Sequence, residues 1–192
     1  MNLDKTYWES RYENSQTGWD VGEITTPLKE YFSQLTNKEQ KILIPGAGNA
    51  YEAEFLHQNK FTNVFVIDLA HQPLDNIRQR VPSFPLNHLI QGNFFELEEQ
   101  FDLIVEQTFF CALDPAERPA YAKKMAELLK TGGKLAGVLF NTHFDGGPPF
   151  GGSKEEYLQY FTPYFQIKCF EMCYNSIKPR QDRELFIILI KK

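Results

Sequence analysis

"ILIPGAGNAYEAEFL", residues 42 to 56, carries a short apolar segment into a Gly-x-Gly turn and then into a helix-like stretch. A turn of this kind after a strand is a common nucleotide site. Gly46 and Gly48 permit a tight turn and close approach of a ligand to the backbone. The dinucleotide fingerprint has a third glycine, which brings the helix N-terminus against a pyrophosphate, and this chain has Tyr51 there. The phosphate reading weakens accordingly, and a nucleoside without phosphates becomes the better candidate.

Outward from that stretch, strand-like and helix-like segments alternate. "KILIP" (41–45) precedes a helical stretch at about 49–58, and "NVFVIDL" (63–69) precedes another at about 72–80. A weak strand, "NHLIQG" (87–92), leads to "FDLIVEQ" (101–107), an apolar run typical of a strand buried on both faces. A helix is predicted next: Asp114 as N-cap, Pro115 at its first position, Glu117 completing the capping pattern, Ala122, Met125, Ala126 and Leu129 as its apolar face, and Gly132 as its end. "KLAGVLF" (134–140), a short helix near 154–161, and the strands "FQIKCFEMC" (165–173) and "RELFIILIKK" (183–192) complete the chain. Alternation of this kind implies a parallel sheet with helices on both faces. The last two strands lack an intervening helix and suit an antiparallel hairpin. The expectation is a Rossmann-like, doubly wound α/β sheet of seven strands in one domain spanning residues 1–192, with residues 1–36 as an N-terminal helical cap.

Composition narrows the class. At 192 residues, 42% hydrophobic and 23% charged, the chain is an ordinary globular protein. No apolar run approaches the roughly 18–20 residues of a membrane helix, and "MNLDKTYWES" has no apolar leader segment. A cytoplasmic setting without membrane attachment is expected. The formal net charge of −5 argues against nucleic acid as a partner and leaves a small molecule. Cys111, Cys169 and Cys173 are read as buried free thiols, and His57, His71, His88 and His143 show no ligand spacing, so no metal is expected.

Ligands of open α/β sheets bind at the carboxyl ends of the strands. The first strand ends at Gly46. The second ends at Asp68, where a carboxylate can accept from both hydroxyls of a ribose or, more blandly, cap a helix. After the third come Asn93 and Phe94, an amide for an adenine edge and a ring for its face, with core packing as the alternative for the ring. The fourth ends at "EQTFFCALD", which would turn Glu106 and Gln107 toward the ligand. Trp8 and Tyr12 share a helix face, and Trp19 follows. These rings either anchor an N-terminal helix or face a cation such as a sulfonium, an attraction of about 0.5–2 kcal/mol.

With these residues assembled, the chain resembles the thiopurine S-methyltransferase family of S-adenosylmethionine-dependent enzymes, and within it the plant-type halide/thiol methyltransferases. The likeness spans nearly the whole length through Trp8, Tyr12, Trp19 with "WDVG", then "IPGAGNAYE", "VIDLA", "FDLIVEQTFFCALDPAERPAYAKKMAELLKTGGKL" and "GGPPF". It implies S-adenosylmethionine as cofactor, S-adenosylhomocysteine as product, and Trp8, Tyr12, Trp19, Gly46, Asp68, Asn93, Phe94 and Gln107 as cofactor contacts. Phe109, Phe110, Asn141, His143 and the loop 145–150 fall on the acceptor side, with His143 as a candidate base. The thiopurine-methylating members have an arginine where this chain has Gln107, which favours a small soft nucleophile (thiol, bisulfide, thiocyanate or halide) over a thiopurine or other aryl thiol. A nicotinamide-dependent dehydrogenase and a non-catalytic S-adenosylmethionine-binding module are the rival readings.

Overall fold

Ile42, Leu43 and Ile44 have almost no exposed surface, so β1 (Ile42–Pro45) has no solvent face, as an apolar run without alternation requires. The computed structural model describes residues 3–192, leaving the first two residues of the expected cap outside the described part. The chain divides into two compact units, Met1–Leu97 and Glu98–Lys192. In the first, β1 pairs parallel with β2 (Val64–Asp68), and β2 pairs parallel with β3 (Leu89–Gln91). Helix α1 (Lys5–Glu13) is capped by Asp4, whose carboxylate accepts from the Tyr7 amide at 3.0 Å, and it buries no side chain. Helix α2 (Thr26–Ser33) buries Pro27, Leu28, Tyr31 and Phe32 at helical spacing. Helices α3 (Tyr51–Gln58) and α4 (Gln72–Arg80) turn Ala53 and Leu56, and Leu74 and Ile77, inward.

In the second unit, β4 (Phe101–Gln107) runs parallel to β5 (Leu129–Phe140), and β5 runs antiparallel to β7 (Glu184–Lys191), which pairs antiparallel with β6 (Phe165–Met172). Helices α5 (Arg118–Glu127) and α6 (Lys154–Phe161) complete it. The strand order β3-β2-β1-β4-β5-β7-β6 gives the expected mixed seven-stranded α/β sheet. No helix among the described residues is long and apolar enough to cross a membrane.

Three local expectations are corrected. Asp114 does cap, accepting from the Ala116 amide at 2.9 Å, but what it caps is a 3-10 turn, Pro115–Glu117. The α-helix starts anew at Arg118 because Pro119 has no N–H to give and is tolerated only in a first turn. Gly132 does not end that helix, which stops at Glu127. It lies within β5 with φ 75°, where Lys130 to Gly133 bulge between the pairs Phe101↔Leu129 and Leu103↔Lys134. The first half of "NHLIQG" belongs to a 3-10 turn, Leu86–His88, which shortens β3.

The β4–β5 pairing has no tolerance at Gly137. A Cβ there would fall 2.0 Å from the Glu106 carbonyl oxygen and 2.7 Å from its carbon, atoms of a buried backbone that cannot step aside. Gly137→Ala is therefore expected to destabilise the protein by at least about 2–3 kcal/mol, measured by urea unfolding. A loss below 1 kcal/mol, by the same order-of-magnitude reasoning, would show that the two strands separate with ease.

Candidate active site

The turn after β1 is built around two left-handed glycines, Gly46 (φ 56°) and Gly48 (φ 51°). The Gly48 amide donates to Asp68 Oδ2 at 3.1 Å and the Ala70 amide to Oδ1 at 2.9 Å, so the end of β2 holds the turn that leaves β1. Burial pushes the Asp68 carboxyl up to about 6, with the amides pulling the other way. Gly48 also faces the cap: a Cβ on it would sit 3.3 Å from the Tyr12 hydroxyl and 3.8 Å from Trp19 Nε1. Trp19 is the hub of the cap, edge-on to Trp8 at 5.7 Å and to Tyr12 at 5.8 Å between ring centres. Burial, with Asp68 nearby, holds the Tyr12 phenol neutral far above its ordinary range.

The place of a third glycine has another use. Tyr51 opens α3, its hydroxyl 3.5 Å from Asp20 Oδ2 and its ring 4.6 Å under the Arg80 guanidinium. Glu52 and Glu54 occupy the first turn of α3, where they already answer the helix dipole with negative charge. A phosphate would meet two carboxylates there. Beyond β3, Asn93 accepts from the Phe95 amide at 3.0 Å through Oδ1 and donates to Glu96 at 3.3 Å, while Phe94 is buried. Thus Trp8, Tyr12, Trp19, Gly48 and Asp68 are brought together, and Asn93 and Phe94 stand at the mouth of β3.

In the second unit Glu106 departs from expectation. It does not turn toward a ligand. It is fully buried, with Oε1 accepting from the Phe109 and Phe110 amides at 2.9 Å each and Oε2 accepting from the Tyr121 hydroxyl in a very short contact. The reason is the turn at Thr108, whose φ of 61° folds the chain back and aims two amides at the strand end. Gln107 ends β4 half-buried, and Phe109 is half-buried against Tyr121 at 5.9 Å. Phe110 lies in the core, 5.0 Å from both Tyr121 and Tyr157. Asn141 accepts from the Lys154 amide at 3.0 Å, and His143 stands in solvent 3.3 Å from Asp145. Asn141 and His143 line one open cavity of about 600 Å³ with Phe144 and Phe150, and Phe109 and Phe110 do not.

Two residues beyond the sequence reading support this side. Arg118, almost wholly buried, donates to Glu156 at 2.7 Å and to the Gly151 carbonyl at 2.8 Å, pinning the Gly/Pro-rich loop. Nothing local marks Arg118 as buried, since its partners are distant in sequence. Tyr121, the partner of Glu106, was similarly illegible. Asp20 did carry a signal, as the acid following Trp19 in "GWDVG".

Burial pushes Glu106 up to about 7 against a reference of 4.5, eased by Tyr121 and the two amides. The folded state therefore keeps a proton that the unfolded chain releases. The resulting stability is present below about pH 4.5 and is lost as pH rises through about 7. Glu106→Ala should cost roughly 3–5 kcal/mol, because two amides and a phenol lose a buried acceptor. Glu106→Gln should cost less and should flatten the fall in stability between about pH 5 and 7. Urea unfolding across that range checks both, and an unchanged pH slope in the Gln variant would refute the assignment.

Comparison with known proteins agrees with this architecture. The family model for thiopurine S-methyltransferase (TPMT) matches residues 3–187. Probable thiol methyltransferase 2 of Arabidopsis thaliana is 30% identical over 162 residues, covering 81% of this chain and 71% of the relative. Thiocyanate methyltransferase 1 of Brassica oleracea is 30% identical over 185 residues, covering 92% and 81%. Among solved structures, the Burkholderia thailandensis 1,6-didemethyltoxoflavin-N1-methyltransferase with bound 1,6-didemethyltoxoflavin and S-adenosylhomocysteine superposes with a TM-score of 0.77 at 15% identity, covering 98% of this chain and 87% of that one, a likeness of fold. A nucleoside turn without a third glycine, an acid closing β2, a sheet ending in an antiparallel pair and these matches together place the chain in the thiopurine S-methyltransferase family, as an S-adenosylmethionine-dependent methyltransferase.

Proposed function

We propose that this chain transfers the methyl group of S-adenosylmethionine to a small soft nucleophile: a thiol, bisulfide, thiocyanate or halide. The observation that carries the reading is the commitment of Glu106 to the backbone. With that carboxylate bound to two amides and Tyr121, the chain from Gln107 to Phe110 offers neutral side chains only. A neutral, partly aromatic surface suits a weakly hydrated nucleophile and gives a carboxylated or purine acceptor no charge to pair with. The names of the thiol and thiocyanate methyltransferase relatives point the same way.

The first unit's residues fit this cofactor. A carboxylate has about four acceptor positions, so Asp68, with the Gly48, Ala70 and Leu69 amides on it, keeps capacity for a ribose hydroxyl. Gly46 lets the nucleoside approach backbone, Asn93 and Phe94 serve the adenine, and the rings of Trp8, Tyr12 and Trp19 face the sulfonium. Gln107 takes the amino-acid portion. Bound S-adenosylmethionine supplies an activated methyl carbon. The residues orient the reactants and exclude water, effects able to lower a barrier by roughly 7–11 kcal/mol in favourable cases. Phe109 and Asn141 shape the acceptor side, Phe110 backs it from the core, and His143 takes the proton of a thiol. We assign residues 1–192 to one catalytic domain with 1–36 as its cap. A cytoplasmic setting suits the free cysteines Cys111, Cys169 and Cys173, since thiols stay reduced there.

Asp68→Ala should weaken S-adenosylhomocysteine binding by about 1.5–3 kcal/mol in a protein that still folds. Because the ionised carboxylate is the better acceptor and titrates near 6, wild-type affinity should fall as pH drops through that value, and the variant should lose this dependence. Calorimetric titration at several pH values decides it, and equal affinity in the two proteins would remove Asp68 from the site.

Incubation with S-adenosylmethionine and a panel of iodide, bisulfide, thiocyanate, aryl thiols and thiopurines tests the acceptor. Small nucleophiles should exceed thiopurines. Thiol rates should rise with pH toward the thiol pKa, because the thiolate attacks, and iodide rates should show no such rise. His143→Ala should lower thiol turnover at neutral pH and spare iodide. Higher thiopurine turnover would overturn the preference, and tight cofactor binding without any turnover would favour a binding module.

A further inference from the structure

Helix α1 buries no side chain, yet it carries Trp8 and Tyr12; Glu9 ties the helix to His71 at 2.8 Å, just before α4. The turn holding Trp19 is tied down separately, by the polar contacts around Asp20. The Asp20 amide donates to the Thr17 carbonyl at 2.9 Å, and its Oδ1 accepts from the Gly22 amide at 2.7 Å, which shapes the turn holding Trp19. Its Oδ2 receives the Asn49 side-chain amide in a very short contact and the Tyr51 hydroxyl at 3.5 Å. Asn49 is the residue next to Gly48. Its own Oδ1 accepts from Asn76 at 2.7 Å, and Asn76 accepts from Gln72 at 3.1 Å. The Arg80 guanidinium donates to the Asn49 carbonyl at 2.5 Å. A relay of amides thus runs from α4 through the glycine turn and ends on a carboxylate, where the charge strengthens the last bond.

We propose that Asp20, through Asn49, is a positioning residue that latches the aromatic cap in register with the glycine turn, so that it governs binding of the cofactor's sulfonium end and leaves its adenosine end alone. The proposal rests on Trp8, Tyr12 and Trp19 covering that end, as argued above. A displacement of about 1 Å in a group that orients a reactant can cost on the order of a hundredfold in rate, so a latch made chiefly by the one short Asn49 contact is chemically consequential. The geometry also offers its own probe. The protein has two tryptophans, Trp8 and Trp19, and both belong to the cap, so tryptophan fluorescence reports on the cap alone.

The test compares wild type, Asp20→Ala, Asp20→Asn and Asn49→Ala, titrated with S-adenosylmethionine and separately with adenosine by calorimetry and by fluorescence. Asp20→Ala and Asn49→Ala should each bind S-adenosylmethionine about tenfold more weakly and adenosine within about twofold of wild type. Their fluorescence response to S-adenosylmethionine should shrink, and Asp20→Asn should lie between. Should Asp20→Ala fail to fold, Asp20→Asn and Asn49→Ala carry the comparison. Parallel weakening of both ligands with a lowered melting temperature would mean a merely structural role, and unchanged binding of both would mean no role; either overturns the latch. If wild type binds S-adenosylmethionine without a fluorescence change, the cap reading fails and the latch with it. If wild type does not bind S-adenosylmethionine at all, the functional reading itself is what fails.

Discussion

The hydrogen bond from the Gly48 amide to Asp68 is the contact on which the glycine turn of this protein depends. It joins the turn leaving β1 to the end of β2, so the loop geometry no longer depends on the loop alone. It also holds a carboxylate in a poorly solvated place where burial raises its pKa and sharpens its interest in donors. The cap residues meet the same glycine from the other side, where a Cβ would press on the Tyr12 hydroxyl at 3.3 Å and the φ of 51° would strain any other residue. Glycine at this position therefore suits both the turn and the close approach of Tyr12.

A second carboxylate, Glu106, obeys the same physics with the opposite result. Burial raises it too, but it has no exposed surface, and two amides and a phenol are its donors. Its field is turned toward the backbone, and Gln107 to Phe110 carry no charge. Two acids at two strand ends thus differ in consequence because Asp68 keeps some exposed surface and Glu106 keeps none.

The sequence disclosed the elements whose cause is local. The apolar run of β4 agrees with the structure to the residue, and the short helix expected near 154–161 is α6, because hydrophobic patterning acts within a few positions. Asp68 was legible as a strand-terminal acid. Glu106 was misplaced for a physical reason: a strand buried on both faces shows no alternation, so its end residue can be located but its direction cannot. The start of α5 and the bulge in β5 were missed because Pro119 and the pairing of β4 overrule the local pattern around Gly132. Arg118 and Tyr121 act through partners far along the chain, and no window of sequence contains both ends of such a contact.

The neighbouring positions 106 and 107 separate two kinds of selection. Adjacent residues of a strand point to opposite sides, and here the Glu106 side is fully buried and holds the fold while Gln107 is half-buried. Changes at Glu106 are penalised through folding whatever the chain binds, whereas on the proposed assignment changes at half-buried Gln107 would alter the charge presented to a ligand. On that assignment the charge met by a ligand can change through one position while the buried acid beside it keeps the scaffold intact, and ligand preference would be expected to vary more readily than structure.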